Sequence, residues 1–239
     1  MKKKKLTNCE IIRELAISKH FILAIIFGVI HTLITSILTI YKAFNETTYA
    51  INTIDGTFFY DKTFFEYSSE VVIAIAAFAS SLFLYYSLYK VHLSFKNHEN
   101  EAIWLAKIPF VILITMLPLF LMLIYLAIRN IEGVEFALII ALFTCAFIAL
   151  FLFIYYKAIK KTINYTLTLI DEKPRGKSSK LLRAITAASL FFLLWQFVAA
   201  FNWMSLLNIF AIASHALFLY LLLIFDNPDR LNKILSRLQ

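Results

Sequence analysis

Residues 21–41 read FILAIIFGVIHTLITSILTIY, an unbroken run with no Asp, Glu, Lys or Arg. A helix rises about 1.5 Å per residue, so this run is long enough to cross a hydrocarbon core of about 30 Å. No water satisfies backbone N–H and C=O groups inside a bilayer, so the run has to be helical there. Five further apolar runs follow, at Val71–Leu93, Ile108–Ile128, Glu135–Tyr156, Leu181–Phe201 and Ser205–Phe225. Together they predict an all-α integral membrane protein, a bundle of six transmembrane helices. Lys2–Lys5 form a basic leader ahead of the first run. That run is too long for a signal-peptide core and no A-x-A site follows it, so it reads as an uncleaved span.

Composition agrees. Of 239 residues, 61% are hydrophobic and 16% charged, whereas a soluble domain is near half apolar and a quarter charged. Disorder would need the opposite balance, low hydrophobicity with high net charge. The 23 Lys+Arg against 15 Asp+Glu leave a net charge of +8, which suits either nucleic acid or an anionic membrane face. Position decides between them. With the N-terminus inside, only Lys42, Lys62 and Arg129 fall on the outer side, and the other basic residues all fall on the inner side. This bias predicts both termini in the cytoplasm and a place in the plasma membrane. The basic surplus is then a topology signal, and no nucleic-acid partner is implied.

Three parts follow from this segmentation: a cytoplasmic amphipathic segment at 1–20, a six-span domain at 21–225 and a cytoplasmic tail at 226–239. Thr7-x-x-Glu10 ahead of Ile11, Ile12, Leu15 and Ile17 is a capping box opening an amphipathic helix, expected to lie on the inner membrane interface. The sizeable outer loop, about residues 42–70, is acidic and carries a tandem echo, Thr57-Phe58-Phe59-Tyr60 and Thr63-Phe64-Phe65-Glu66, after an Asp55-Gly56 turn signal. It reads as an aromatic segment on the outer interface; an acidic lip for cationic solutes is the second reading. Asn202-Trp203-Met204 form a very tight outer turn, so the last two spans should be an antiparallel hairpin. Pro118, interior to the third span, frees the carbonyl of Ile114 and predicts a kink.

No acidic or basic residue lies deep in any span, which argues against a self-sufficient proton-coupled carrier. Neutral polar residues remain. Gly28, Thr32, Thr35, Ser36 and Thr39 form a stripe on the first span, and small residues in such spacing serve close helix packing. His31 and His215 each lie ten residues into their spans, as does Cys145, which predicts a common depth near the midplane. Two imidazoles on facing helices suit haem ligation, and Cys with two His suits a soft metal. The plainer reading hydrogen-bonds each histidine to Thr35, Gln196 or Asn208 within the bundle. The two cysteines, Cys9 and Cys145, build no disulfide framework or CxxC metal site.

The length, six spans, inner termini and amphipathic entry helix resemble the small permeases of type-two ATP-binding-cassette exporters, including peptide-export and bacteriocin-immunity systems. The resemblance lies in layout and rests on no motif. The tight turn at Asn202–Met204 departs from that pattern. It implies a bacterial transport or export permease subunit paired with a separate ATPase, with Lys90–Lys107 as a coupling segment and a homo-oligomer as a further expectation. No Walker motif, HExxH, paired carboxylate or nucleophile–base motif is visible. Two other classes stand beside this one: a non-transporting sensor, immunity or assembly subunit, and a haem- or metal-binding redox subunit using His31 and His215.

Overall fold

A computed structural model describes residues 7–45, 48–53, 56–129, 134–170, 179–199 and 203–225. The helices are α1 (Asn8–Ile17), α2 (Lys19–Asn45), α3 (Phe64–Asn97), α4 (Glu101–Arg129), α5 (Val134–Ile170), α6 (Lys180–Ala199) and α7 (Trp203–Phe225). Between α2 and α3 lie two strands, β1 (Thr48–Thr53) and β2 (Gly56–Asp61). Five helical segments are long and apolar enough to cross a membrane: Lys19–Asn45, Glu66–Asn97, Glu101–Pro118, Ile139–Thr168 and Lys180–Val198. A shorter apolar segment, Asn208–Ile224, lies within α7.

Contacts run α2–α3, α3–α4, α4–α5, α5–α6, α6–α7 and α7–α2, so the six long helices close into a ring. The α5–α6 contact is the slightest of the six among the described residues. α6 and α7 pack extensively, as expected of consecutive helices separated by three residues. α4 continues through both Pro109 and Pro118 as one helix. Outward-facing side chains on α5 and α6 are large and apolar, with Phe143 74% and Phe191 70% exposed. Water would disfavour such a surface and lipid solvates it, which fits a membrane bundle.

One end of the ring holds α1. Its capping box forms as the sequence predicts, the Glu10 carboxylate accepting from the Thr7 N–H at 2.6 Å and the Thr7 hydroxyl accepting from the Glu10 N–H. Its position differs from the expectation of an interfacial helix. Ile11, Ile12, Leu15 and Ala16 are all buried, covered by α3, α5, α2 and α7 of the same chain. Ile12 and Ala16 join Val91, Phe95, Leu105 and Ile108 in one cluster, while Ile11 and Leu15 join Leu221 and Ile224 in another. Helix length does not reveal this, because an amphipathic face that suits a lipid surface also suits an apolar groove between helices. Arg13 adds an ion pair to Glu101 at 3.0 Å, and His92 Nδ1 bonds the Ala16 carbonyl at 2.8 Å.

The opposite end carries the hairpin, a small addition to a bundle that is otherwise helical, as the sequence predicts. β1 pairs antiparallel with β2, with Thr53 opposite Gly56 and Thr48 opposite Asp61. The tandem echo therefore becomes two unlike structures. Thr57–Tyr60 is strand, whereas Thr63 and Glu66 form the capping box that starts α3. Lys62 is drawn to Glu70 at 2.8 Å, which neutralises part of the acidic loop.

If apolar burial rather than charge holds α1, Phe95→Ala should destabilise the purified protein by about 3–5 kcal/mol, and Arg13→Ala by at most about 1 kcal/mol. Thermal unfolding in detergent checks the order; equal losses would place the weight on the ion pair.

Candidate functional site

α2 and α7 zip together antiparallel, and their contacts define the register. His20 meets the Tyr220 ring with centroids 5.5 Å apart, Phe21 meets Phe218 at 6.2 Å, and Phe27 meets Phe210 at 6.1 Å. Between these levels the Ser214 hydroxyl donates to the Ala24 carbonyl at 2.8 Å. A buried serine satisfied across a helix interface is the kind of polar bond that holds helices in lipid.

The same register places His31 opposite Asn208, whose side chain is its hydrogen-bonding neighbour. Tyr85 enters from α3 between the two helices, with Thr32 and Ser214 as the hydrogen-bonding neighbours of its hydroxyl. Gly28 makes this entry possible, since a Cβ built there would overlap the far end of the Tyr85 ring. Thr35 turns its hydroxyl back on its own helix, to the His31 carbonyl at 2.8 Å and the Thr32 carbonyl at 3.1 Å. The small-residue stripe on the first span thus has two tasks. Gly28 admits an aromatic ring, and the threonines satisfy themselves.

His215 is in electrostatic reach of His31, but the two are not level. With 24 opposite 214 and 27 opposite 210, His215 lies about two helical turns, roughly 10 Å, nearer the α1 end than His31. Equal numbers of residues into two spans do not give equal depth when the helices start at different heights. His215 Nδ1 lies 2.9 Å from the Ala211 carbonyl. A carbonyl only accepts, so Nδ1 carries the proton and Nε2 is the acceptor, an orientation that also suits a metal ligand.

Cys145 is not part of this group. It is exposed on α5, and among the described residues α5 touches α4, α1 and α6 but neither α2 nor α7. Gln196 is exposed on α6. Among the described residues no group of three or more His, Cys, Asp or Glu comes together as a metal-binding cluster. The site is thus a neutral polar cluster of His31, Thr32, Tyr85, Asn208, Ser214 and His215, where α2, α3 and α7 converge. Sequence reasoning named both histidines and Asn208 but missed Tyr85 and Ser214. Gly28, four residues from Thr32 on a single stripe, was the available signal that a large side chain from elsewhere had to fit there.

Chemically, the cluster offers neutral donors and acceptors in an apolar surround, able to hold a polar group of a solute or to lock three helices together. It carries no fixed charge. Gly28→Ala should displace the Tyr85 ring and destabilise the bundle by about 1–3 kcal/mol, as overpacking does. Tyr85→Leu should lose less on its own, and the two changes together should be markedly non-additive, because Leu leaves room for the new methyl. A double-mutant cycle on thermal unfolding measures the coupling; simple additivity would remove the ring-in-groove contact.

No protein-family model, curated protein or solved structure matches this chain.

Proposed function

We propose that the chain is a six-span protein of the plasma membrane with both termini in the cytoplasm, serving as the membrane subunit of a transport or export system energised by a separate ATPase. The observation that carries this reading is the neutral polar cluster set between three helices of a closed ring, with one end of the ring stopped by α1. A ring of spans with polar groups inside is what a solute pathway requires, and α1 closes one end of it. α7 supplies the sixth span: its 23 residues extend about 35 Å at 1.5 Å per residue. The strong bias of Lys and Arg to the α1 side supports the orientation.

The contact for an ATPase would be the turn between α3 and α4. Lys96–Asn100 are exposed there, and His98 and Asn100 sit in left-handed conformations with φ of 61° and 54°. These make a compact projection at the α1 end, within the expected coupling segment Lys90–Lys107.

A second reading, a non-transporting sensor, immunity or assembly subunit, draws on a specific observation: α1 is bound on several sides by apolar burial, an ion pair and a histidine bond. Such a plug favours a fixed structure. Purification of the full chain under mild conditions separates the two. Stoichiometric recovery of an ATPase whose turnover rises with added peptide supports the transport subunit; a lone, stable protein showing no flux in vesicles supports the alternative. An absorption spectrum and metal analysis of the same sample test the haem or metal role of His31 and His215, which a colourless, metal-free sample would remove.

Orientation has its own test. With Cys9 and Cys145 replaced by alanine, Asp61→Cys should react with an impermeant thiol reagent on intact cells, and Asn97→Cys only after permeabilisation. The reverse pattern would invert the topology.

A further inference from the structure

Four lysines toward the α1 end lie against aromatic rings about one turn away on the same helix. Lys90 Nζ stands 5.4 Å from the Tyr86 ring centroid on α3, and Lys107 Nζ stands 4.7 Å from that of Trp104 on α4. On α5, Lys157 Nζ is 4.3 Å from the Phe153 ring and Lys160 Nζ is 5.8 Å from that of Tyr156. These are cation–π pairs, whose attraction grows as water is removed. Lys107, Lys157, Lys160, Tyr86 and Phe153 are all exposed, so the pairs lie on the surface of the bundle. Tyr86, Trp104 and Tyr156 are of the ring types that settle at a membrane–water boundary.

Their backbone positions share one height. Lys90 and Lys107 lie within a residue of the same distance from the turn between α3 and α4. Residues 107–129 of α4 and 134–157 of α5 each extend about 34 Å at 1.5 Å per residue, slightly more than a hydrocarbon core of about 30 Å. Surface chemistry changes at that height. On the far side of Lys157, α5 exposes Leu142, Phe143, Phe147 and Leu150; on the α1 side it exposes Lys160, Lys161 and Asn164. Burial changes there too. The apolar clusters around α1 gain from hiding side chains only where water is the alternative, because lipid is as apolar as they are. Hydrocarbon therefore bathes one side of the lysine pairs and water the other.

We propose that Lys90, Lys107, Lys157 and Lys160 form a band that binds the headgroups of anionic phospholipids and thereby fixes the depth of the bundle. Charge complementarity selects this partner: a row of ammonium groups at the boundary attracts lipids of net negative charge, whereas a zwitterionic headgroup offsets its phosphate with its own cation. α5 continues to Ile170, about 20 Å past Lys157. The band thus leaves α1 and the covering ends of α3, α4 and α5 as a small domain in water. This assignment is independent of any transported solute and of the side of the membrane that α1 faces.

The test uses the full-length protein in vesicles of phosphatidylcholine and phosphatidylglycerol. Spin-labelled phosphatidylglycerol should be enriched over spin-labelled phosphatidylcholine at the protein surface. Lys107→Gln with Lys157→Gln should cut that preference, by at most about fivefold for each lysine, and Lys107→Arg with Lys157→Arg should keep it. Depth is read separately. With Cys9 and Cys145 replaced by alanine, Phe147→Cys and Asn164→Cys each carry a nitroxide. Dissolved oxygen should relax the label at 147, and a water-soluble nickel chelate the label at 164. Thermal unfolding checks each variant, and Leu142→Cys replaces Phe147→Cys if the latter does not fold. Equal enrichment of the two lipids, a preference unchanged by glutamine or lost with arginine, or the same accessibility at 147 and 164 would overturn the proposal.

Discussion

The burial of one short helix organises the α1 end of this protein. α1 presents Ile11 and Leu15 toward α7, and Ile12 and Ala16 toward α3 and α4. A ten-residue helix is marginal in isolation, so its order depends on the groove it fills. The groove depends on α1 in turn, because α3, α5 and α7 each contact it and α5 and α7 do not touch each other among the described residues. α1 thereby joins the α3–α4 cluster to the α7 cluster. The Thr7–Glu10 box and the Arg13–Glu101 pair fix where α1 starts and how it is rotated, but the apolar contacts are the larger energy.

Further from α1, a different physics takes over. Lipid is as apolar as leucine, so spans gain little by hiding side chains from it. They associate where small residues allow close approach and where a polar group finds its partner. α2 and α7 illustrate both: Ser214 bonds the Ala24 carbonyl, and Gly28 admits Tyr85 from α3. First and last spans are thereby joined, with a third helix keyed into the seam. The α5–α6 seam makes the slightest contact of the ring among the described residues, with the Ser179 N–H bonded to the Thr162 hydroxyl at 3.3 Å where α6 begins, and the outward faces of those helices are highly exposed. Rigidity in this molecule is distributed by where polar groups are satisfied, with one well-keyed seam and one slight one.

Much of this was legible in the sequence because the bilayer imposes a simple code. Apolar runs of about twenty residues have to be helices, and five of the expected spans meet that requirement in the structure while the sixth is present as a shorter apolar segment in α7. The α1 capping box was equally readable, since it is local. What failed were the statements that needed tertiary knowledge. The amphipathic face of α1 showed that it would cover something apolar, not whether that was lipid or protein. Thr63–Glu66 looked like a repeat of Thr57–Tyr60, yet a carboxylate three residues after a threonine starts a helix, whereas the earlier segment pairs as strand. Depth counted from each span's first residue put His31 and His215 level, but the aromatic register of α2 on α7 offsets them.

That offset bears on the chemistry the cluster can perform. Two imidazoles at one height would face each other across a common centre. Two imidazoles about two turns apart, in a directly packed interface, instead interact each with its own local partner: His31 with Asn208, His215 with the Ala211 carbonyl. Tyr85 stands between their levels, reaching Thr32 on one side and Ser214 on the other. The arrangement is a chain of neutral donors and acceptors running along the helices. A chain of this kind tolerates small axial shifts of α7 on α2 by exchanging partners, whereas the α1 end, filled by interlocking aliphatic side chains, has no such alternatives. Any motion in this bundle is therefore expected along the polar seam, with the α1 end as its fixed point.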